Sequence, residues 1–503
     1  MRDAGSRRGR KLDIGMPVGA AGTSVRRREW ARLTARLAET NWAIVLLCLI
    51  PAAAYYAMVI TLGFPSFFTQ HPHGLTFNSM LLHLLNGRFD VDPQTIGDEG
   101  IVRNGLSYTY FGILPALLRL PFLPFDNFAG TDYTRLGCTV AVSLMGACNL
   151  ASVLTVWRAA GRPAERADLP VLLGATVLFA GPQVMFLRAI IFQEVLLWAA
   201  ALASVFVYLV IRGLHSEAGF TARLLAALAA VAGLCLLTRV STALGLFVAL
   251  GLLMVVLAWR AWRRERRISA ALLPLLPAGA ILAAAILVTG IVNYGRWGNP
   301  LLFTDPQHYL WWLAHDAERM ARYERYGLFS LARLGYGLVY YFVPVWAVPH
   351  ADGTLWLSAY QHSVIDSTEL PPSSFFLSDP LLVGLSVFAL VQLVRPARWI
   401  DRGIALPMLA GLLVPIGLVL TFSGMSFRYR LEFYPLLDFC AFLGFGVLLS
   451  RPKSPPLRCF ATATVASAVS AHLLGFLYML TPLGDVNTLL KGTDIVSFYL
   501  AEF

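Results

Sequence analysis

Charge is what this sequence has least of. Only 14% of its 503 residues are Asp, Glu, Lys or Arg, against about a quarter in soluble globular domains. Hydrophobic residues make up 57%, and the mean hydropathy is +0.65. A chain this apolar excludes an ordinary soluble enzyme. Cysteine is sparse too. The six (Cys48, Cys138, Cys148, Cys235, Cys440 and Cys459) lie in or beside apolar runs, and none forms C-x-x-C. That argues against a disulfide framework or a zinc site and suits cysteine as a small buried hydrophobe. No Gly-rich nucleotide fingerprint, internal repeat, low-complexity linker or soluble catalytic domain is visible. Any chemistry must therefore be built on outer loops and the ends of spans.

The net charge of +11 is distributed in short basic blocks beside apolar runs, where it acts as a topology signal. No basic face with stacking aromatics occurs in a soluble segment, so nucleic acid is not an expected partner. No alternation of about ten residues suggests an outer-membrane barrel. What the chain does contain is repeated apolar runs of about 20 residues, the length of a membrane-crossing helix.

The expected fold is an all-α polytopic membrane protein with about eleven spans and interfacial or re-entrant helices in its outer loops. Spans are expected at about residues 42–63, 133–157, 169–187, 189–211, 270–292, 404–422, 433–449 and 459–480. Another ends at Arg395, and residues 224–259 read as a hairpin of two short spans broken at Thr238-Arg239-Val240-Ser241. Residues 1–40 read as a basic cytoplasmic tail and 41–503 as one transmembrane domain, with large outer loops at 64–132 and 293–379. Basic turns inside and carboxylates outside make this topology self-consistent, with the N-terminus cytoplasmic in a cell membrane.

Three groups of residues could carry chemistry. The first outer loop holds Asp90, Asp92, Asp98 and Glu99 next to a membrane face, with His71, His73 and His83, and with Tyr108 and Tyr110. Carboxylates there can accept a proton from a hydroxyl, or they can simply make solvated turns. The stretch SFRYRLEFYP, residues 426–435, places Arg428, Arg430 and Glu432 at the outer end of two spans. A guanidinium there suits an interfacial phosphate, or it can snorkel to anchor the span. Arg188 and Arg239 recur at the same membrane face, against the positive-inside bias. His71-x-His73 has no third ligand at a characteristic spacing, so no metal site is expected, although a divalent metal is left open. The motif NYGRWGNP, residues 293–300, reads as a turn after a span.

These motifs resemble the GT-C superfamily of integral-membrane glycosyltransferases, in a bacterial subgroup that depends on polyprenyl-phosphate sugars. The resemblance rests on the order of the parts: a first span, an interfacial helix, the acidic GRFD turn at 87–90, and the Tyr-rich segment from Tyr108 into the next helix. LTRVSTALGL (237–246), NYGRWGNPLLF (293–303) and FRYRLEFYPLL (427–437) add to it. It implies transfer of a sugar, of inverting type, from a polyprenyl-phosphate-linked donor to an acceptor in the cell envelope, beside membrane lipids and without a cofactor. On that reading Asp90 or Asp92, then Glu99, is the catalytic base. Arg428, Arg430, Arg239 and Arg188 hold the donor phosphate, and Tyr108, Tyr110, His71 and Glu432 line the substrate. Many members carry a carboxylate soon after the first span. Here that region reads Gln70-His71-Pro72-His73-Gly74 and Thr76-Phe77-Asn78-Ser79, so the base falls to the later acidic residues. The alternatives are a lipid or sugar transporter or flippase without glycosyl transfer, and a non-enzymatic membrane scaffold.

Overall fold

The structure is a computed structural model that describes residues 42–61, 67–162, 189–305, 310, 316–343, 363–368, 374–394, 399–450, 462–467, 469–471 and 473. It comprises two units. Met1–Ile44 contributes only residues 42–44 to the described part, and Val45–Phe503 contains the rest. The basic tail, the expected span at 169–187, Arg188 and much of 459–480 lie outside the described residues.

Apolar runs become long helices, as a medium without water requires of every backbone N–H and C=O. In chain order they are α1 (Trp42–Ile60), the outer-loop helix α2 (Thr76–Leu85), α3 (Thr134–Ala159), α4 (Ile191–His215), α5 (Ala222–Leu236), α6 (Val240–Glu265) and α7 (Leu276–Trp297). The segment after α7 contains α8 (Ala317–Tyr326) and α9 (Leu334–Phe342), and α10 (Pro380–Val394), α11 (Arg402–Thr421) and α12 (Tyr434–Ser450) follow. Among the described residues five helices are long and apolar enough to cross a membrane: α3, α4, α6, α11 and the run Ile268–Trp297 that ends in α7. The apolar helices α5, α10 and α12 are shorter.

Helix burial separates the interior from the lipid face. In α4 83% of the apolar window is buried, whereas only 11% is buried for the run ending in α7. A helix enclosed by its neighbours and one facing hydrocarbon are thus told apart by packing, not by composition. α6 and α11 meet at backbone distance: a Cβ added at Gly411 would lie 2.3 Å from the Ala249 nitrogen. Small residues permit such approach between spans. Five free cysteines, Cys48, Cys138, Cys148, Cys235 and Cys440, are buried.

The first outer loop is a folded layer on the helix ends. Phe77, Met80 and Leu81 of α2 join Val91, Ile96, Phe111 and Ile113 in one core with Ile191 and Val195 of α4 and Val292 of α7. Polar residues on α2 are buried as well because each has a partner. Thr76 donates to the Thr95 carbonyl at 2.7 Å, and Asn78 donates to those of Phe128 and Thr131 at 2.7 and 2.8 Å.

Two local features differ from the sequence reading. The loop contains an antiparallel hairpin, β1 (Ile101–Arg103) with β2 (Leu106–Tyr108), in register Ile101 opposite Tyr108. Its turn is Asn104-Gly105, with φ of +52° and +77°, the pair that a tight hairpin turn demands. A second pairing is parallel, β3 (Ser367–Thr368) beside β4 (Gly424–Met425). The segment NYGRW is the last turn of α7 rather than a loop after it. The helix stops at Gly298, whose φ is +69°, a left-handed C-terminal cap.

Candidate active site

The arginine-rich stretch after α11 forms a 3-10 helix over Phe427–Glu432. Runs of this type rarely exceed three or four residues, because their hydrogen-bond geometry is poor. Side chains hold this one in place. Glu432 is 1% exposed. Its Oε1 accepts from Arg239 Nε and, at 2.7 Å, from Ser241 Oγ, while Oε2 accepts from Thr242 Oγ1 at 2.7 Å. All three donors come from the residue before α6 and its first turn. Arg430 is fully buried. Its Nη2 donates to Asp379 Oδ2 at 3.1 Å and to Ser378 Oγ, and its guanidinium carbon lies 4.1 Å from the Phe375 ring centre.

Arg428 differs from Arg430. It is half-buried, and among the described residues its guanidinium makes no hydrogen bond or ion pair. It rests on rings instead, 5.0 Å from the centre of Phe192 and 5.6 Å from that of Tyr429. Arg239 lies 5.5 Å from the same Tyr429 ring. Its Nε is taken by Glu432, and among the described residues its two Nη groups have no hydrogen-bond partner. Two guanidinium groups thus converge on one tyrosine with donors to spare. A planar fork of donors on aromatic faces is a chemistry suited to phosphate.

The first outer loop is laid directly against this cluster. Leu114 N–H donates to the Leu237 carbonyl at 2.9 Å. A Cβ at Gly112 would fall 2.2 Å from that oxygen and 2.5 Å from the Thr238 carbonyl, so only glycine fits. Phe111 packs edge-on to Phe192 at 5.7 Å, the ring that carries Arg428. Tyr110 donates to Glu99 Oε2 at 3.2 Å. Although Tyr110 is 40% exposed as a residue, protein crowds its phenol. Burial first, then Glu99 and Tyr429, push its pKa up, against the pull of Arg428. The Tyr110–Glu99 pair therefore stands in the electrostatic field of the arginine cluster.

The other acidic residues are arranged differently. Asp90 is 4% exposed and takes two hydrogen bonds from Arg88, one of them from Nε at 3.0 Å. Burial alone would raise its pKa. The Arg88 hydrogen bond, its own backbone N–H and the charges of His83 and Arg88 outweigh burial and hold it below the ordinary carboxylate value. Asp92 accepts from Ser79 Oγ at 2.8 Å. His83 lies between the two carboxylates, with Nδ1 3.3 Å from Asp90 Oδ2 and Nε2 3.3 Å from Asp92 Oδ1. Tyr108 packs on Trp297 at 5.9 Å.

The structure thus brings Glu99, Tyr110, Arg428, Arg239 and Glu432 to one place. It places Asp90 in a closed pair with Arg88, and Arg430 in a closed pair with Asp379. His71 N–H donates to Asp132 Oδ2 at 3.0 Å. Asp132 therefore supplies a carboxylate beside the 70–74 segment, which has none of its own. Beneath the loop, buried Arg119 donates to Glu194 Oε2 at 2.9 Å and also bonds Asn78. Sequence reasoning singled out neither Asp132, Arg119, Asp379 nor Phe192. Each acts through a partner distant in the chain, and Arg119, although inside the Tyr-rich segment, falls at a position that motif leaves unspecified. Among the described residues no group of three or more His, Cys, Asp or Glu is placed to hold a metal ion.

No protein-family model and no curated protein matches this chain. Among solved structures it is similar to the apo oligosaccharyltransferase of Archaeoglobus fulgidus, at 13% identity and a TM-score of 0.46, over 88% of this chain and 59% of that one. It is similar also to AglB from Archaeoglobus fulgidus in complex with an inhibitory peptide and a dolichol-phosphate, at 14% identity and a TM-score of 0.46, over 86% and 55%. A third is the Archaeoglobus fulgidus oligosaccharyltransferase tethered to an acceptor peptide, at 12% identity and a TM-score of 0.44, over 92% and 59%. The chain spans between half and two thirds of the length of these proteins.

Proposed function

We propose that this protein is a membrane glycosyltransferase that moves one sugar from a polyprenyl-phosphate carrier to an acceptor hydroxyl on the extracytoplasmic face. The observation that carries this reading is Arg428. It is a half-buried cation that has no anionic partner among the described residues, held on Phe192 and Tyr429 beside Arg239, with Glu99 and Tyr110 in the loop docked next to it. A lipid-linked phosphate at the interface supplies the missing anion.

The reaction balances with these groups. The acceptor hydroxyl attacks the anomeric carbon as the bond from that carbon to the phosphate oxygen breaks. The hydroxyl proton passes to Glu99. The departing prenyl phosphate carries the electron pair, and Arg428 with the free edge of Arg239 stabilises its charge. A single displacement of this kind inverts the anomeric centre. Tyr110 holds Glu99 in place, and Glu432 holds Arg239. Asp92, exposed and with no arginine ion pair among the described residues, is the second candidate base. Asp90 orders the loop with Arg88, and Arg430 anchors the turn. Arg188 belongs to the same outer face by sequence. The topology that goes with this is one transmembrane domain of about eleven crossings, with the basic tail cytoplasmic.

The test is where a labelled sugar ends. The full chain in nanodiscs is given radiolabelled polyprenyl-phosphate sugars and a membrane extract. Label that becomes covalently attached to an acceptor, and does not with Arg428→Ala, supports transfer. In proteoliposomes, label that crosses the bilayer still linked to its carrier identifies a flippase instead.

A further inference from the structure

Among the described residues Arg428 makes no hydrogen bond or ion pair and only rests on the Phe192 and Tyr429 rings, so the placement of its turn must fix where it points. The turn is held on two sides. On one side Glu432 is fixed by Arg239, Ser241 and Thr242. On the other, two residues beyond Arg428, Arg430 runs into the interior and ends on Asp379. Asp379 is 1% exposed and joins the short helix Phe375–Ser378 to α10. Its Oδ2 accepts three hydrogen bonds in all: from Arg430 Nη2 at 3.1 Å, from Ser378 Oγ at 2.6 Å and from Tyr434 Oη at 3.0 Å. Tyr434 opens α12, directly after the turn. One carboxylate oxygen therefore ties together the turn, the start of α10 and the start of α12. Phe375, under Arg430, also packs against Phe433 and Tyr434 at 5.5 Å each.

We infer that Asp379 is a positioning residue for the phosphate site, acting through Arg430 to aim Arg428. The physical reason is the weakness of the turn itself. A six-residue 3-10 helix has poor internal hydrogen bonds, so its pitch follows its side-chain anchors. A change in pitch at Arg430 rotates the residue two positions earlier, which is Arg428. Glu432 fixes the far end and Tyr341, which donates to the Ser426 carbonyl at 3.1 Å, holds the residue before the turn, while Arg430 is the anchor between them. This inference rests on the proposed phosphate-binding role of Arg428, and it assigns to that site a residue that touches no substrate.

The test is binding, which does not require transfer. The probe is a short-chain prenyl monophosphate titrated into the full chain in detergent, with affinity expressed per folded molecule. Wild type is compared with Arg428→Ala, Tyr434→Phe, Asp379→Asn and the double variant Asp379→Asn/Arg430→Gln. We expect Arg428→Ala to abolish binding. Tyr434→Phe, which keeps the ring and removes one donor to Asp379, weakens it about threefold, and Asp379→Asn about tenfold or more. The double variant binds no worse than Asp379→Asn alone, because the tie through which both residues act is already lost. A role confined to stability lowers yield or melting temperature but leaves the affinity of folded protein unchanged. Where Asp379→Asn does not fold, Tyr434→Phe decides alone. Wild-type affinity in Tyr434→Phe and Asp379→Asn, beside loss in Arg428→Ala, overturns the inference and leaves the phosphate site standing. A clear further loss in the double variant also overturns it, because Arg430 then acts apart from Asp379. No binding by wild type discards the phosphate site and this inference together.

Discussion

Arg239 gives its Nε–H to Glu432 and keeps its two Nη groups unbonded among the described residues. The carboxylate thereby holds the guanidinium by one edge rather than neutralising it from all sides. Arg428, over the same tyrosine ring, has no carboxylate partner among the described residues. This difference between neighbouring arginines gives the first prediction. Arg428→Ala should leave the melting temperature near that of wild type and lower the rate by about a hundredfold or more. Arg428→Lys should recover little, since an ammonium lacks the planar fork. Arg430→Ala should act the other way round. It leaves Asp379 buried and unpaired, a change that costs about 3–5 kcal/mol, visible as a lowered denaturation midpoint.

The two acidic candidates separate in the same manner. Glu99→Gln keeps the size and a hydrogen bond to Tyr110 while removing the proton acceptor. Its transfer rate should fall by about 10²–10⁴ with folding intact. Asp90→Asn breaks the bidentate pair with Arg88 and should loosen the loop instead, seen as faster proteolysis near residues 88–108. Wild-type rates in Glu99→Gln, with collapse in Asp92→Asn, would move the base to Asp92.

Asp90 also predicts a pH dependence. Its folded pKa lies below the ordinary value, so its contribution to stability is fully present above the unfolded carboxylate value of about 3.9. That contribution is lost as pH falls through the lowered folded value. Wild type should therefore lose stability below about pH 4, and Asp90→Asn should show a smaller acid loss. Denaturation midpoints at pH 6 and pH 3 measure this, and identical pH profiles for the two proteins would contradict it.

Beneath the loop, Arg119 and Glu194 are 3% and 2% exposed. Removing one partner as Glu194→Ala should destabilise by about 3–5 kcal/mol. Replacing both by apolar residues of similar volume should cost far less. Gly112→Ala drives a methyl into two backbone carbonyls, which cannot swing away as a side chain would. It should cost about 1–3 kcal/mol and reduce activity by lifting Tyr110 from the arginine cluster.

The helices were legible because a run of about 20 apolar residues has few other stable arrangements in a bilayer. The break at Thr238-Arg239 is legible too, and α5 and α6 meet there. The hairpin β1–β2 carries its own signal in Asn104-Gly105, but hydropathy does not register a structure of this size. Arg428 and Arg430 stand two apart in one motif, and nothing local distinguishes the ring-bound cation from the paired one. Their difference comes from Asp379, about fifty residues earlier in the chain. Likewise Arg119 meets Glu194 across 75 residues and His71 meets Asp132 across 61. Which loop carboxylate is already paired is a property of tertiary packing, so Asp90 and Glu99 look alike in sequence and differ in the structure.

The most direct measurement is the single-turnover rate of sugar transfer from a radiolabelled polyprenyl-phosphate sugar, in nanodiscs, for wild type beside Glu99→Gln and Arg428→Ala. The account predicts covalent transfer by wild type, loss of the chemical step in Glu99→Gln with donor still bound, and loss of donor binding in Arg428→Ala. Undiminished transfer in both variants, or no transfer by wild type from any donor tried, would contradict it.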